Sequence, residues 1–318
     1  SSQDLYDAEK VCEKLSIHLH TINFSKEYWD FVFSNFLNEY RKGNTPNPDI
    51  LCNKEIKFNI FFKYALTELK ADYIATGHYA CIKKKDGMYF FFKGIDTTKD
   101  QSYFLYTLKE NQLKKILFPL GNLKKIQVRK IAENIMLDVA KKKDSTGICF
   151  IGPRNIKTFL SRYIPEKKGD ILTVDGKIIG QHHGAFYYTL GQRQGLGIGG
   201  LQGKKNAPWY VVDKKIKDNI LIVEQELNNK YLMSVGLIAK NIHWIYKKNI
   251  IFPFYCLAKT RYRQKDIPCI VEYINKKNIK VLFSSPASSI TPGQSIVFYL
   301  SQLCLGGGII SHRLPLIL

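Results

Sequence analysis

The chain has 318 residues, 45% of them hydrophobic, which is enough for two or three domains with cores and too apolar for a disordered tail. Lysine and arginine number 48 against 27 acidic residues; the net charge of +21 suits a polyanion partner or a lysine-rich solvated face, and does not itself separate RNA from DNA. No apolar run approaches the roughly 20 residues that span a bilayer, and "SSQDLYDAEK" carries neither part of a secretory signal, so a cytoplasmic protein is expected.

In chain order, "DLYDAEKVCEKLSI" has helical periodicity, "HLHTINF" reads as a strand, and "YWDFVFSNFLNEYRKG" returns to helical spacing before a glycine stop. The loop "GNTPNPD" leads through Cys52 into the amphipathic helix "KEIKFNIFFKYALTELK", then the short buried strand "DYIATGHYA". A basic hairpin follows, "CIKKKDGMYFFFKG", turned at Asp86-Gly87. "QSYFLYTLKENQLKKILF" and "LKKIQVRKIAENIM" are again helical. This alternation predicts an α/β unit, a parallel sheet flanked by helices. From about Gly169 onward the pattern changes to closely spaced strands: "GDILTVDGKIIGQ", "APWYVVDKKIKDNILIVEQ", "YCLAKTRYRQ", "IPCIVEYINKKNIKVLF" and "QSIVFYL". These predict one or two small β-domains. Boundaries near 155 and 232 divide the chain into 1–155, 156–232 and 233–318.

The chemistry-bearing candidates are few. A formal GxGxxG at Gly195, Gly197 and Gly200 is followed by loop and strand, where a dinucleotide site needs a helix. Gly306, Gly307 and Gly308 read as a tight turn or bulge between strands. His182 and His183 face opposite ways in a strand, and His78 stands alone after Gly77, so no metal site is assigned. Seven cysteines at scattered spacings form neither a disulfide framework nor a zinc pattern. Cys12, Cys81, Cys256, Cys269 and Cys304 lie in apolar helical or strand patterns and read as small hydrophobes. Two stand apart. Cys52 follows a proline-stiffened loop at an expected helix start, where unpaired N–H groups favour a thiolate. Cys149 lies near Lys141, Lys142 and Lys143, whose charge does the same, with Gly147 and Gly152 permitting close approach. On these features both a packed and a reactive thiol remain open.

Taken together, "GNTPNPDILCNKEIKF", "DYIATGHYA", "KDQSYFLYTL", "LFPLGNLKKIQVRKIAE", "KKKDSTGICFIG", "YTLGQRQGLGIGG", "AKTRYRQ" and "TPGQSIVFY" closely resemble the bacterial tRNA-specific 2-thiouridylases, and the match runs to "GGGIISHRLPLIL". The resemblance implies a doubly wound α/β domain of the ATP-pyrophosphatase type, followed by two small mostly β domains, the last a β-barrel. It implies that ATP, with Mg2+, adenylates the oxygen on carbon 2 of the wobble uridine of tRNA, and that a protein persulfide then delivers sulfur there. Carried over residue by residue, Cys149 bears the persulfide and Cys52 resolves it, either attacking it to release sulfide or assisting its transfer, ending in a transient Cys52–Cys149 disulfide. Asn47, Pro48 and Asp49 hold the target base, Lys99, Asp100, Gln101, Arg261 and Tyr262 contact tRNA, and Gly77 belongs to the ATP pocket. The implied partners are tRNA and a sulfur-relay protein or cysteine desulfurase, with neither DNA nor membrane. The family opens with a strand and an SGGxDS phosphate loop that residues 1–318 lack, so the resemblance implies an N-terminally truncated chain. The competing expectations are a truncated, inactive tRNA-binding protein and a dithiol sulfur carrier that works without ATP.

Overall fold

The computed structural model describes residues 2–143, 156–199, 207–226, 229–246 and 250–317. After the helix Ser2–Leu15, a helical run is assembled from Ser25–Tyr28, Trp29–Phe33 and Ser34–Arg41. Its buried side chains, Tyr28, Val32, Phe33, Phe36, Leu37 and Tyr40, recur at steps of one, three and four, forming one apolar face. That face packs on Ile56, Phe159, Leu160 and Ile164, so it ties the cysteine-bearing helix to the segment beyond residue 156.

Among the described residues, four strands belong to the first half: β1 (Ile74–Ala75), β2 (Ala80–Lys85), β3 (Met88–Lys93) and β4 (Ile116–Leu117). β1 and β4 pair in parallel, as the α/β reading requires. The β2–β3 hairpin turns at Asp86 (φ 50°) and Gly87 (φ 77°), both left-handed, the geometry that matches the strand twist.

Two expectations fail here. Residues 18–24 form no strand; a strand needs a ladder partner, and this segment finds none among the described residues. The stretch 101–118 is no single helix but a 3₁₀ turn, Ser102–Phe104, a short helix, Glu110–Leu113, and β4. Tyr103, Leu105, Tyr106 and Leu108 are all buried, so the segment has no polar side to turn to solvent, as an amphipathic helix would.

The second half is β-structure, as expected. β5 (Gly169–Thr173), β6 (Ile178–His182), β7 (Trp209–Lys215) and β8 (Ile220–Gln225) form a sheet in the order β6-β5-β8-β7, with β5 and β8 parallel. β9 (Met233–Trp244), β10 (Phe254–Lys259), β11 (Ile267–Asn275), β12 (Asn278–Ser288), β13 (Ser295–Leu300) and β14 (Leu303–Pro315) run in the order β13-β10-β11-β12-β9-β14. A further β13–β14 pairing closes them into a six-stranded barrel. Its interior holds Leu237, Ala239, Val271, Val281, Ile296 and Phe298. Cys256 and Cys269 sit opposite each other in this core, their sulfurs 3.7 Å apart.

β9 and β14, the longest strands described, are absent from the sequence reading. The glycine triplet lies inside β14, where Gly306 (φ 137°) accompanies a register slip against β13. The bulge is there, and the turn is not. The hairpin of the first half also adds to this sheet, through Phe92 opposite Leu303 and a Lys93–Asp266 ion pair of 2.7 Å.

Candidate functional site

The loop before Cys52 is held from two sides. Thr45 N donates to Pro292 O (3.0 Å) and Gln294 Nε2 donates to Thr45 O (2.7 Å), both from the barrel region. Thr45 Oγ1 meets Thr189 Oγ1 at 3.1 Å, and Lys214 Nζ donates to Gly43 O (2.6 Å) and Tyr188 O (2.7 Å), all from the central sheet region. Asn47 then caps a helix: its Oδ1 accepts from Asp49 N (3.1 Å) and Ile50 N (3.4 Å), with Pro48 at the first helical position. The helix therefore begins at Pro48 and not at Cys52. Cys52 stands in its second turn, away from the unpaired N–H groups that the sequence reading invoked.

Asp49, Cys52, Asn53 and Lys57 share one helix face and, with His78, Gln101 and Phe104, line a cavity of about 150 Å³. Gln101 is fixed by two bonds to one backbone unit: its N donates to Tyr79 O (2.9 Å) and its Oε1 accepts from Tyr79 N (3.0 Å). Its Nε2 is left as a donor. His78 Nδ1 lies 2.8 Å from Thr76 Oγ1, and the ring packs between Phe58 and Phe118. Phe104 packs against Tyr262, ring centroids 4.5 Å apart and planes tilted by 50°, and so couples the cavity wall to the "TRYRQ" segment.

Burial, with Lys57 nearby, pushes the His78 imidazole down to about 3 from 6.5. The ring is neutral at physiological pH and is no proton donor there. Because the unfolded chain takes up this proton near pH 6.5 and the folded one does not, the His78 contribution to stability falls as pH drops from about 6.5 towards 3. The His78 ring signal in proton NMR, assigned with His78→Gln, is expected to hold constant between about pH 5 and 8. A midpoint near 6.5 would contradict this environment.

The remaining carried-over residues divide by orientation. Asp100 is 6% exposed; its carboxylate accepts from Gly94 N (3.1 Å), Ser102 N (3.1 Å) and Ser102 Oγ (3.0 Å), with Lys259 Nζ at 3.6 Å. It shapes the loop that presents Gln101. Lys99, half-buried, precedes it and bonds through its N to Asp96 O. Arg261 turns inward as well: its Nη2 donates to Leu190 O (3.1 Å), Ser289 O (2.7 Å) and Thr291 Oγ1 (3.0 Å). Burial lowers its pKa, which leaves a guanidinium that clamps the central sheet region to the barrel. Arg261→Ala is expected to cost about 2 kcal/mol or more of stability, because buried acceptors lose a charged donor. The salt dependence of RNA binding should not change. A slope lowered by about one with unchanged melting would instead place the guanidinium on a phosphate.

Gly77 is exposed just past the carboxyl end of β1, where α/β sheets bind nucleotides, and a Cβ there would meet only Leu120 at 3.8 Å. It fits one edge of an ATP pocket. A triphosphate also needs several converging backbone N–H groups, which Gly77 alone does not supply. Cys149, and with it any Cys52–Cys149 pairing, lies outside the described residues, as do Gly147, Gly152 and Gly200. Of the neighbouring lysines, Lys142 is held by Asp4 (3.2 Å) and Asp7 of the first helix.

Asn53, Lys57, His78 and Phe104 were not singled out as site residues from the sequence. The first two carried a signal: they follow Asp49 at steps of four, so a reactive Cys52 implied them on its own face. His78 and Phe104 arrive from other segments, and no spacing announces that.

The fold and the cavity define a class: an α/β unit whose helix presents a cysteine to a small polar cleft, with two β-modules fixing the loop before it. Comparison with known proteins agrees. Residues 1–153 match the tRNA methyl transferase HUP domain, 157–225 the tRNA methyl transferase PRC-barrel domain, and 234–310 the aminomethyltransferase beta-barrel domain. The tRNA-specific 2-thiouridylase MnmA of Buchnera aphidicola subsp. Acyrthosiphon pisum is 67% identical over 317 residues, covering 100% of this chain and 86% of the relative. The MnmA of Proteus mirabilis is 58% identical over 314 residues, with 99% and 86% covered. The chain belongs to the tRNA-specific 2-thiouridylase family.

Proposed function

We propose that the protein replaces the oxygen on carbon 2 of a tRNA uridine, the wobble uridine, by sulfur, with Cys52 as a reacting thiol in the base pocket. The observation that carries this is the cavity beside Cys52. A space of about 150 Å³ holds a six-membered ring, and this one sets a thiol, a carboxylate, two amides and a neutral imidazole around such a ring. A base taken out of its stack is read by hydrogen bonds to its edge in a pocket of this kind.

The chemistry follows from sulfur balance. The outer sulfur of a Cys149 persulfide attacks carbon 2, joining the base to Cys149 through two sulfurs. The Cys52 thiolate then attacks the Cys149 sulfur, which breaks the sulfur–sulfur bond and leaves the outer sulfur on the base. The two cysteines end as a disulfide, having supplied the two electrons that reduce the transferred sulfur. Bound ATP would make the departing oxygen a leaving group, with Gly77 at one edge of its pocket.

Asp49 and Gln101 face the base directly. Tyr262 supports the wall through Phe104, and Lys99 lies in the loop that presents Gln101, while Asn47, Pro48, Asp100 and Arg261 hold these parts in place. The net charge of +21 supplies the grip on the tRNA backbone. A sulfur-relay protein or cysteine desulfurase loads Cys149, in the cytoplasm where tRNA is. The test is complementation: the full-length gene product should restore 2-thiouridine, measured by mass spectrometry of digested tRNA, in a host whose own thiouridylase is deleted. Folded protein without 2-thiouridine would overturn the proposal.

A further inference from the structure

Cys52 lacks the source of thiolate character that its place in the sequence suggested, because the helix starts at Pro48 and the unpaired N–H groups lie a turn earlier. Attack on a sulfur–sulfur bond still requires the thiolate. The winding of the helix supplies a substitute. From Cys52 to Phe61 the backbone is π-helical, a rare form that frequently marks functional sites. In an α-helix residue 57 would stand about 140° around the axis from residue 52, on the far side. Bonding from residue i to i+5 brings it back over residue 52, and Lys57 accordingly joins Cys52 in lining the cavity.

Among the described residues around that cavity, Lys57 is the cation: Asn53, Gln101 and Phe104 carry no charge, and the His78 ring is neutral. The charge of Lys57 acts on His78, which reaches the cavity from another segment. No hydrogen bond or ion pair ties up the Lys57 ammonium among the described residues. Lys54 differs, since it pairs with Glu55 (2.7 Å) and lines a separate cleft. The opposing charge in the cavity wall is the Asp49 carboxylate, and the cluster behind Cys52 holds apolar and phenol side chains.

Building on the reading of Cys52 as a reacting thiol, we infer that Lys57 holds the Cys52 sulfur in its negatively charged, attacking form. A carboxylate beside a thiol disfavours the anion, and a nearby ammonium offsets that. Within a partly closed cavity the attraction is screened less than at an open surface. Lys57 acts through the Cys52 sulfur, so it is a positioning residue: it carries no sulfur and has no need to touch the base.

The experiment follows the alkylation of Cys52 by iodoacetamide, an uncharged reagent, from about pH 5 to 10, with the Cys52 peptide quantified by mass spectrometry. It needs neither RNA nor ATP. The rate tracks the thiolate fraction, so each protein gives a half-maximal pH and a plateau. Lys57→Met should raise the half-maximal pH by about one unit, the lower end of what a nearby opposite charge produces, and still reach a plateau. Lys57→Arg should keep the half-maximal pH of the unaltered protein. Lys57→Gln replaces the methionine variant if that one fails to fold by circular dichroism.

An unmoved half-maximal pH in the folded variant would overturn the inference, including the case where only the plateau falls, which reports access and not charge. An equal rise in Lys57→Arg would overturn it too. Either result leaves the functional proposal standing. Failure of complementation removes that proposal without moving the half-maximal pH, so the two failures are told apart.

Discussion

Replacing Cys52 by serine in the full-length gene product is expected to abolish 2-thiouridine formation and to leave tRNA affinity unchanged. Serine matches cysteine in shape, and Cys52 is half-buried at the edge of the cluster of Phe33, Phe36 and Ile56, so the helix and the cavity survive. What disappears is a sulfur able to attack a sulfur–sulfur bond and to close a disulfide. Cys149→Ser should give the same loss if it carries the persulfide. The choice of control matters. Cys304 is fully buried and Cys256 faces Cys269 in the barrel core, so a serine there would place a hydroxyl among apolar side chains. Cys12, half-buried on the first helix, is the better control, and Cys12→Ser should thiolate normally. Thiolated tRNA at ordinary levels from Cys52→Ser, read on a mercury-containing gel, would remove the thiol from the mechanism.

Gly293→Ala should both lower stability and impair thiolation, although it lies in the barrel region and far from Cys52 in sequence. Gly293 has φ 92°, a conformation that side chains rarely adopt. A Cβ there would stand 2.7 Å from Thr45 N and 2.9 Å from Asn44 Cβ, in the loop that leads to Asn47 and Asp49. The backbone of that loop cannot give way cheaply, since Thr45 N already donates to Pro292 O. Left-handed strain and overpacking together cost about 3 kcal/mol. The displaced loop also carries the cap of the Cys52 helix, so activity falls with stability. Gly87→Ala is the contrast: φ 77° with open space, hence turn strain alone and normal thiolation.

The hairpin at Asp86-Gly87 was legible because that dipeptide has one comfortable turn geometry, and the short strands after Gly169 because their turns are equally marked. β9 and β14 were not, since a glycine triplet signals interruption and only barrel closure makes it a bulge within a strand. Residues 101–118 misled for a related reason: side chains that look helical in sequence are buried on every side by the barrel and the hairpin. Within the site, the residues on the Cys52 face were readable from helical spacing, whereas His78 and Phe104 are brought there by tertiary packing. The inward turn of Asp100 and Arg261 was hidden too. Charged residues are ordinarily exposed, and only buried partners such as Ser102 N and Ser289 O reverse that expectation.

The most direct test of the cavity as the base pocket is a photochemical map. A stem-loop with 5-iodouridine at the target position is irradiated on this chain, and the adduct is located by peptide mass spectrometry. The adduct is predicted on the cavity wall, on Phe104, His78 or Cys52. An adduct confined to the separate cleft lined by Phe31, Asn35, Lys240 and His243, or to the loop Arg193–Gly199, would place the base elsewhere and contradict the account.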